Sequence, residues 1–207
     1  IDFADPANPV IEKLDFDFAS CGYALCIVDT GGSHSDLTDE YAAVRKEMES
    51  VAEYLGKSVL REVDEDEFMK NIADIRSSCG DRAVLRAMHF YGDNARVEKQ
   101  AAALKAGDFE TFKKYIIESG RSSYMYNQNV YSCKKASEQP VSLALSLSEK
   151  LLDGCGAWRV HGGGFAGTIQ AFVPLNKLDE YKDLMEKVFG SGSCYILSVR
   201  PVGGVEL

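Results

Sequence analysis

Gly156-Ala157-Trp158-Arg159-Val160-His161-Gly162-Gly163-Gly164-Phe165-Ala166-Gly167-Thr168-Ile169-Gln170-Ala171-Phe172-Val173 is the stretch that decides the fold. Ala157–His161 and Thr168–Val173 read as two strands, the second alternating apolar and polar, joined by a glycine-rich turn. Six of the 18 glycines fall between 154 and 167. Consecutive glycines admit positive φ angles and bare the backbone, which suits close approach to an anion or to another backbone. Downstream, Leu178, Tyr181, Leu184, Met185 and Val188 predict the inward face of a helix over 175–189, and Cys194–Val199 a closing strand.

Upstream, Leu14, Phe16 and Phe18 alternate with Asp15 and Asp17, which predicts a half-buried strand over 10–18. Tyr23–Val28 is apolar on both faces and reads as a central strand. Leu37, Tyr41, Val44, Met48, Val51 and Leu55 then recur at helical spacing until Gly56. Acidic residues 62–67 read as a solvated helix start, with a short helix running through Ile75. A long helix is expected over 81–106, closed by Gly107, and Asp108 is placed to cap the next one. Ser122–Cys133 loses periodicity and reads as an ordered loop, and Leu143, Leu147 and Leu151 mark a further helix. With the helical stretch set aside, the order is β-α-β-β-α-β. The expected class is α+β, a ferredoxin-like (split βαβ) plan with a large helical insertion. One domain over 1–207 is expected: strands within 1–30, mainly helix over 37–153, and hairpin, helix and strand over 155–207.

The chain has 207 residues, 45% of them hydrophobic, enough for a sizeable core. No apolar run approaches a membrane span, and a net charge of −9 without a basic cluster argues against a nucleic-acid partner. The six cysteines form no C-x-x-C pair, and no signal sequence opens the chain, so reduced thiols and a cytoplasmic protein are expected. No metal ligand set is read.

Gly162, Gly164 and Gly167 formally satisfy G-x-G-x-x-G, but a strand follows where a dinucleotide site requires a helix. His161–Gly164 matches an H-G-G-G oxyanion element, but no G-x-S-x-G nucleophile elbow follows. Two readings stay open on chemistry alone: a glycine hairpin at an active-site edge, or a tight turn that lets elements pack closely.

Residues 156–167 resemble the third motif of galactokinases, within the GHMP family of small-molecule kinases. The likeness extends in order to His34-Ser35, Glu40-Tyr41, Leu60-Arg61-Glu62-Val63, Arg86-Ala87-Met88-His89, Ala103–Phe109, Glu118-Ser119 and Ser132-Cys133. It implies the C-terminal domain of an ATP-dependent sugar 1-kinase, with galactose the leading substrate. It also implies a sugar contact for the Tyr41 phenol and a place at the active-site edge for Gly162, Gly163 and Gly164. His161 stands where the family usually has Thr, Ala166 replaces a glycine, and Tyr124–Asn129 replaces a more charged segment.

The family's phosphate loop, catalytic Asp and amino-terminal sugar motif have no counterpart in this chain. The resemblance therefore implies no catalytic residue here, with ATP and Mg²⁺ held mainly by an absent N-terminal half that would also be this chain's partner. The isolated chain is expected to be inactive, and Ile1 in place of an initiator Met is read as a cut. The alternative is a non-catalytic, galactokinase-like sugar-binding or regulatory protein.

Overall fold

A computed structural model describes residues 1–18, 20–32 and 37–199. Four strands form one antiparallel sheet: β1 (Tyr23–Asp29), β2 (Ala157–Val160), β3 (Thr168–Pro174) and β4 (Cys194–Leu197), in the order β2-β3-β1-β4. β1 pairs with β3 from Tyr23↔Pro174 to Asp29↔Thr168, and with β4 from Leu25↔Leu197 to Val28↔Cys194. β1 is therefore central, as its two-sided apolar sequence requires.

Because strand side chains alternate, the sheet offers two faces, and each has its own cover. Cys26, Val28, Trp158, Val160, Ile169, Ala171 and Val173 pack on one face. That face is covered by α6 (Pro140–Leu152) and α7 (Leu178–Phe189), through residues including Val141, Ala144, Tyr181 and Met185. Ala157 and Phe172 on the other face meet Phe109, Phe112 and Ile116 of α5 (Phe109–Ser122).

The helices between β1 and α6 carry a second core. They are α1 (Thr38–Tyr54), α2 (Glu65–Lys70), α3 (Ile72–Cys79), α4 (Asp81–Lys105) and α5. Val51, Phe68, Ile75, Ala87 and Tyr91 from the first four pack together. The Asp64 carboxylate accepts from the amides of Asp66 and Glu67 at 2.9 and 3.4 Å, and the Asp108 carboxylate from that of Thr111 at 3.0 Å. Both satisfy donors that a helix start leaves unpaired.

Two expectations need correction, the strand over 10–18 and the plain loop over 122–133. Residues 10–18 form no strand; Leu14, Phe16 and Phe18 are half-buried as the alternation requires, but they lie on α5 and the second sheet face without a backbone ladder. The edge strands of the sheet, among the described residues, are β2 and β4. The helix marked by Leu143, Leu147 and Leu151 is α6; its buried positions are Val141, Ala144, Ser148 and Leu152, and Leu143 is 47% exposed. Ser123–Asn127 is a π-helical turn, and Asn127, Asn129 and Ser132 beyond or within it are buried. The six cysteines carry free thiols, and no described helix is long and apolar enough to cross a membrane.

Candidate functional site

The turn between β2 and β3 is built by its glycines and anchored from three directions. His161 N–H continues the ladder to the Thr168 carbonyl at 3.0 Å. From β1, both the amide and the hydroxyl of Thr30 donate to the Gly167 carbonyl, at 2.9 and 2.6 Å. From α1, the Tyr41 hydroxyl donates to the Gly164 carbonyl at 2.7 Å.

The tyrosine ring fixes the glycines in turn. A Cβ on Gly163 would stand 2.8 Å from Tyr41 Cε1, so a methyl there displaces the ring. Gly164 has φ +83, and a Cβ there would lie 1.9 Å from the carbonyl oxygen of Asn129. No side chain fits that position. Phe165 follows at φ 57, a left-handed conformation that bulky residues avoid. Its buried ring meets Tyr41 edge-on at 5.3 Å between centroids.

The structure thus brings the predicted site residues, Tyr41 with Gly163 and Gly164, into direct contact across 120 residues of sequence. Gly162 belongs to the same turn, at φ 71. Burial pushes the Tyr41 phenol above its ordinary value, against the opposing pull of the Ala166 amide. The hydroxyl is therefore neutral at physiological pH and serves as a donor.

Two hollows flank this contact. A cleft of about 640 Å³ is lined by Thr30, Gly32, Ser132, Lys135, Gln139 and Phe165, at the end of β1 and the start of α6. A groove of about 360 Å³ is lined by Tyr41, Val44, Met48, Leu60, Phe90 and the rim residue Arg61. The groove is apolar, whereas the tyrosine oxygen is turned into the glycine turn.

His161 is exposed and its Nδ1 lies 3.0 Å from Gln170 Oε1, a cross-strand contact. His89 is buried, its Nδ1 2.9 Å from Ser122 Oγ, and its Nε2 faces Asp93 at 3.9 Å. Burial is the main force that lowers its pKa to about 4, aided by Arg96 and Arg159 and opposed by Asp93. It is a neutral, structural imidazole. His34 and Ser35 lie outside the described residues.

Sequence reasoning missed the strap over 123–129 that lies beneath the turn. Asn129 donates from Nδ2 to the Gly163 carbonyl at 3.1 Å and accepts at its own carbonyl from the Phe165 amide at 2.5 Å. Arg86, fully buried on α4, donates to the Asn127 carbonyl at 3.0 Å and to Glu47 Oε2 on α1 at 2.9 Å. The available signal was the abrupt loss of helical period after Ser122 in a segment rich in Asn.

An antiparallel four-stranded sheet with helices on both faces is an α+β fold, closed here at one end by a glycine turn locked to a helix. The galactokinase of Lactococcus lactis, solved in complex with galactose, superposes with a TM-score of 0.64 at 20% identity, covering 93% of this chain and 47% of that one. Among curated proteins, this chain is 31% identical to human galactokinase over 184 residues, 89% of this chain and 44% of the relative. It is 29% identical to that of Thermosipho africanus over 182 residues and 26% identical to that of Actinobacillus pleuropneumoniae serotype 5b over 164. No family model matches the chain. The chain resembles the C-terminal portion of galactokinases, and it spans less than half the length of these relatives.

Proposed function

We propose that this chain is the C-terminal domain of an ATP-dependent sugar 1-kinase whose substrate is galactose, yielding galactose 1-phosphate and ADP. The observation that carries the proposal is the lock between Tyr41 and Gly163-Gly164. It joins, in space, the two places that the galactokinase resemblance assigns to the sugar and to the active-site edge. The split βαβ reading fits the same proposal, because the order β2-β3-β1-β4 is that of two such units with the helical segment inserted after β1.

In this reading the sugar lies beside the Tyr41 hydroxyl, over the turn, and the phenol keeps its hydrogen bond to the Gly164 carbonyl while it contacts the sugar. The rigid turn fixes the sugar relative to the phosphoryl donor, which is how positioning lowers the barrier to phosphoryl transfer. ATP and Mg²⁺ are assigned mainly to the N-terminal half that the resemblance implies, and no step of transfer is assigned to side chains of this chain. Of the two edge strands, β4 exposes Tyr195, Ile196 and Leu197 whereas β2 buries Ala157, Trp158 and Val160, so β4 is where that half is expected to pack.

The test is turnover by the full-length protein with ATP, Mg²⁺ and a panel of hexoses, beside the isolated chain. Galactose is expected to be phosphorylated by the former and no hexose by the latter. A folded full-length protein that binds galactose but transfers no phosphate supports the non-catalytic sugar-binding alternative, and robust turnover by pure isolated chain overturns the half-site reading.

A further inference from the structure

Three local costs converge where the strap meets the glycine turn. Gln128 is a non-glycine residue at φ 54, and Phe165 is another at φ 57. Asn129 is 5% exposed, yet its Oδ1 has no hydrogen-bond partner among the described residues. Left-handed backbone at a side-chain-bearing residue and a buried, unpaired amide oxygen each destabilise the native state, and such costs gather at functional sites. An apolar side chain at 129 would avoid the last of them.

The amide orientation follows from its neighbour. Turning it over would set Oδ1 against the Gly163 carbonyl, acceptor against acceptor, so Nδ2 must face the turn. Asn129 therefore grips the turn twice, through Nδ2 to Gly163 and through its carbonyl to Phe165. The strap is itself held: the Gln128 amide donates to the Ser123 carbonyl at 2.8 Å, and Arg86 ties Asn127 to Glu47. Glu47 and Tyr41 share α1, and Tyr41 holds Gly164. The pieces form a closed frame in which the turn bonds both α1 and the strap directly, while Arg86 of α4 bridges the strap to α1.

From this frame we infer that Asn129 is a positioning residue for the sugar site, setting the Gly163-Gly164 carbonyls and, through them, the Tyr41 hydroxyl. The inference rests on the kinase reading for its catalytic consequence but not for its geometry. It gives a role to the segment Tyr124–Asn129, where this sequence departs from the charged stretch typical of galactokinases.

The experiment uses the full-length protein with Asn129→Asp, which replaces the Nδ2 donor by an oxygen at constant shape, and Asn129→Ala as the milder second variant. Each is combined with Tyr41→Phe. For either single variant the galactose KM is expected to rise about 5- to 10-fold with less than twofold change in the KM for ATP. The double variants are expected to be no worse than about twofold beyond the weaker single, because both changes break one frame.

Amide exchange read by mass spectrometry at 163–167 is expected to quicken at least about tenfold in Asn129→Asp. Unchanged galactose KM, or losses that simply multiply with that of Tyr41→Phe, overturns the inference, as does unchanged exchange. Should the wild-type protein fail to phosphorylate galactose, the kinase reading falls, and the exchange arm alone decides whether Asn129 sets the turn.

Discussion

At the scale of the residue, the site is a matter of a few atoms that admit no substitute. Gly164→Ala must either move Asn129 or unwind the turn. It is expected to destabilise the chain by at least about 2 kcal/mol in denaturant titration, with the strain of φ +83 added to the clash. His89 gives a pH test. Between pH 6.5 and about 4 the unfolded chain binds a proton that the folded imidazole refuses, so stability falls as pH falls through that window. The loss totals about 3 kcal/mol once pH has passed below the lower value. Asp93, Arg96 and Arg159 face this ring from α4 and β2, and Asp93 is itself held below the usual carboxylate range. Burial raises the Asp93 value, but Ser119, His89, Arg159 and Arg96 outweigh it, so its own contribution is lost only at more acid pH. His89→Gln is expected to flatten the stability profile between pH 6.5 and 4, measured by urea titration across that range.

At the scale of the element, the sequence is most legible where local signals agree with packing. β1, α1, α4 and the cap at Asp108 stand where periodicity and capping chemistry place them, within a residue or two. Asp108→Ala is expected to cost about 1 kcal/mol, read from the midpoint and slope of a denaturant curve. Legibility fails where the deciding partner is distant in sequence. Leu14, Phe16 and Phe18 do bury alternate side chains, but the aromatic cluster on Phe109, Phe112 and Phe172 supplies the burial, with no strand to pair with. Leu143, Leu147 and Leu151 mark α6 but not its buried face, where small Ala144 and Ser148 meet the sheet and Tyr181. The strap over 123–129 has no periodicity to read, because the carbonyls of Asn127 and Asn129 are held by Arg86 and by the turn, partners distant in sequence.

At the scale of the molecule, the acidic charge, the two-faced sheet and the glycine hairpin were each readable alone. Their assembly around Tyr41 was not. The family resemblance pointed to Tyr41 and to Gly162–Gly164 separately, and the fold adds that Tyr41 touches Gly163 and Gly164 and that Asn129 bonds the same turn. The most direct measurement is the steady-state kinetics of galactose phosphorylation by the full-length protein and its Tyr41→Phe variant. The account predicts turnover by the wild type and a galactose KM raised roughly 3- to 10-fold by the loss of one hydroxyl, in a variant that remains folded. Equal KM and kcat in the two proteins would contradict it.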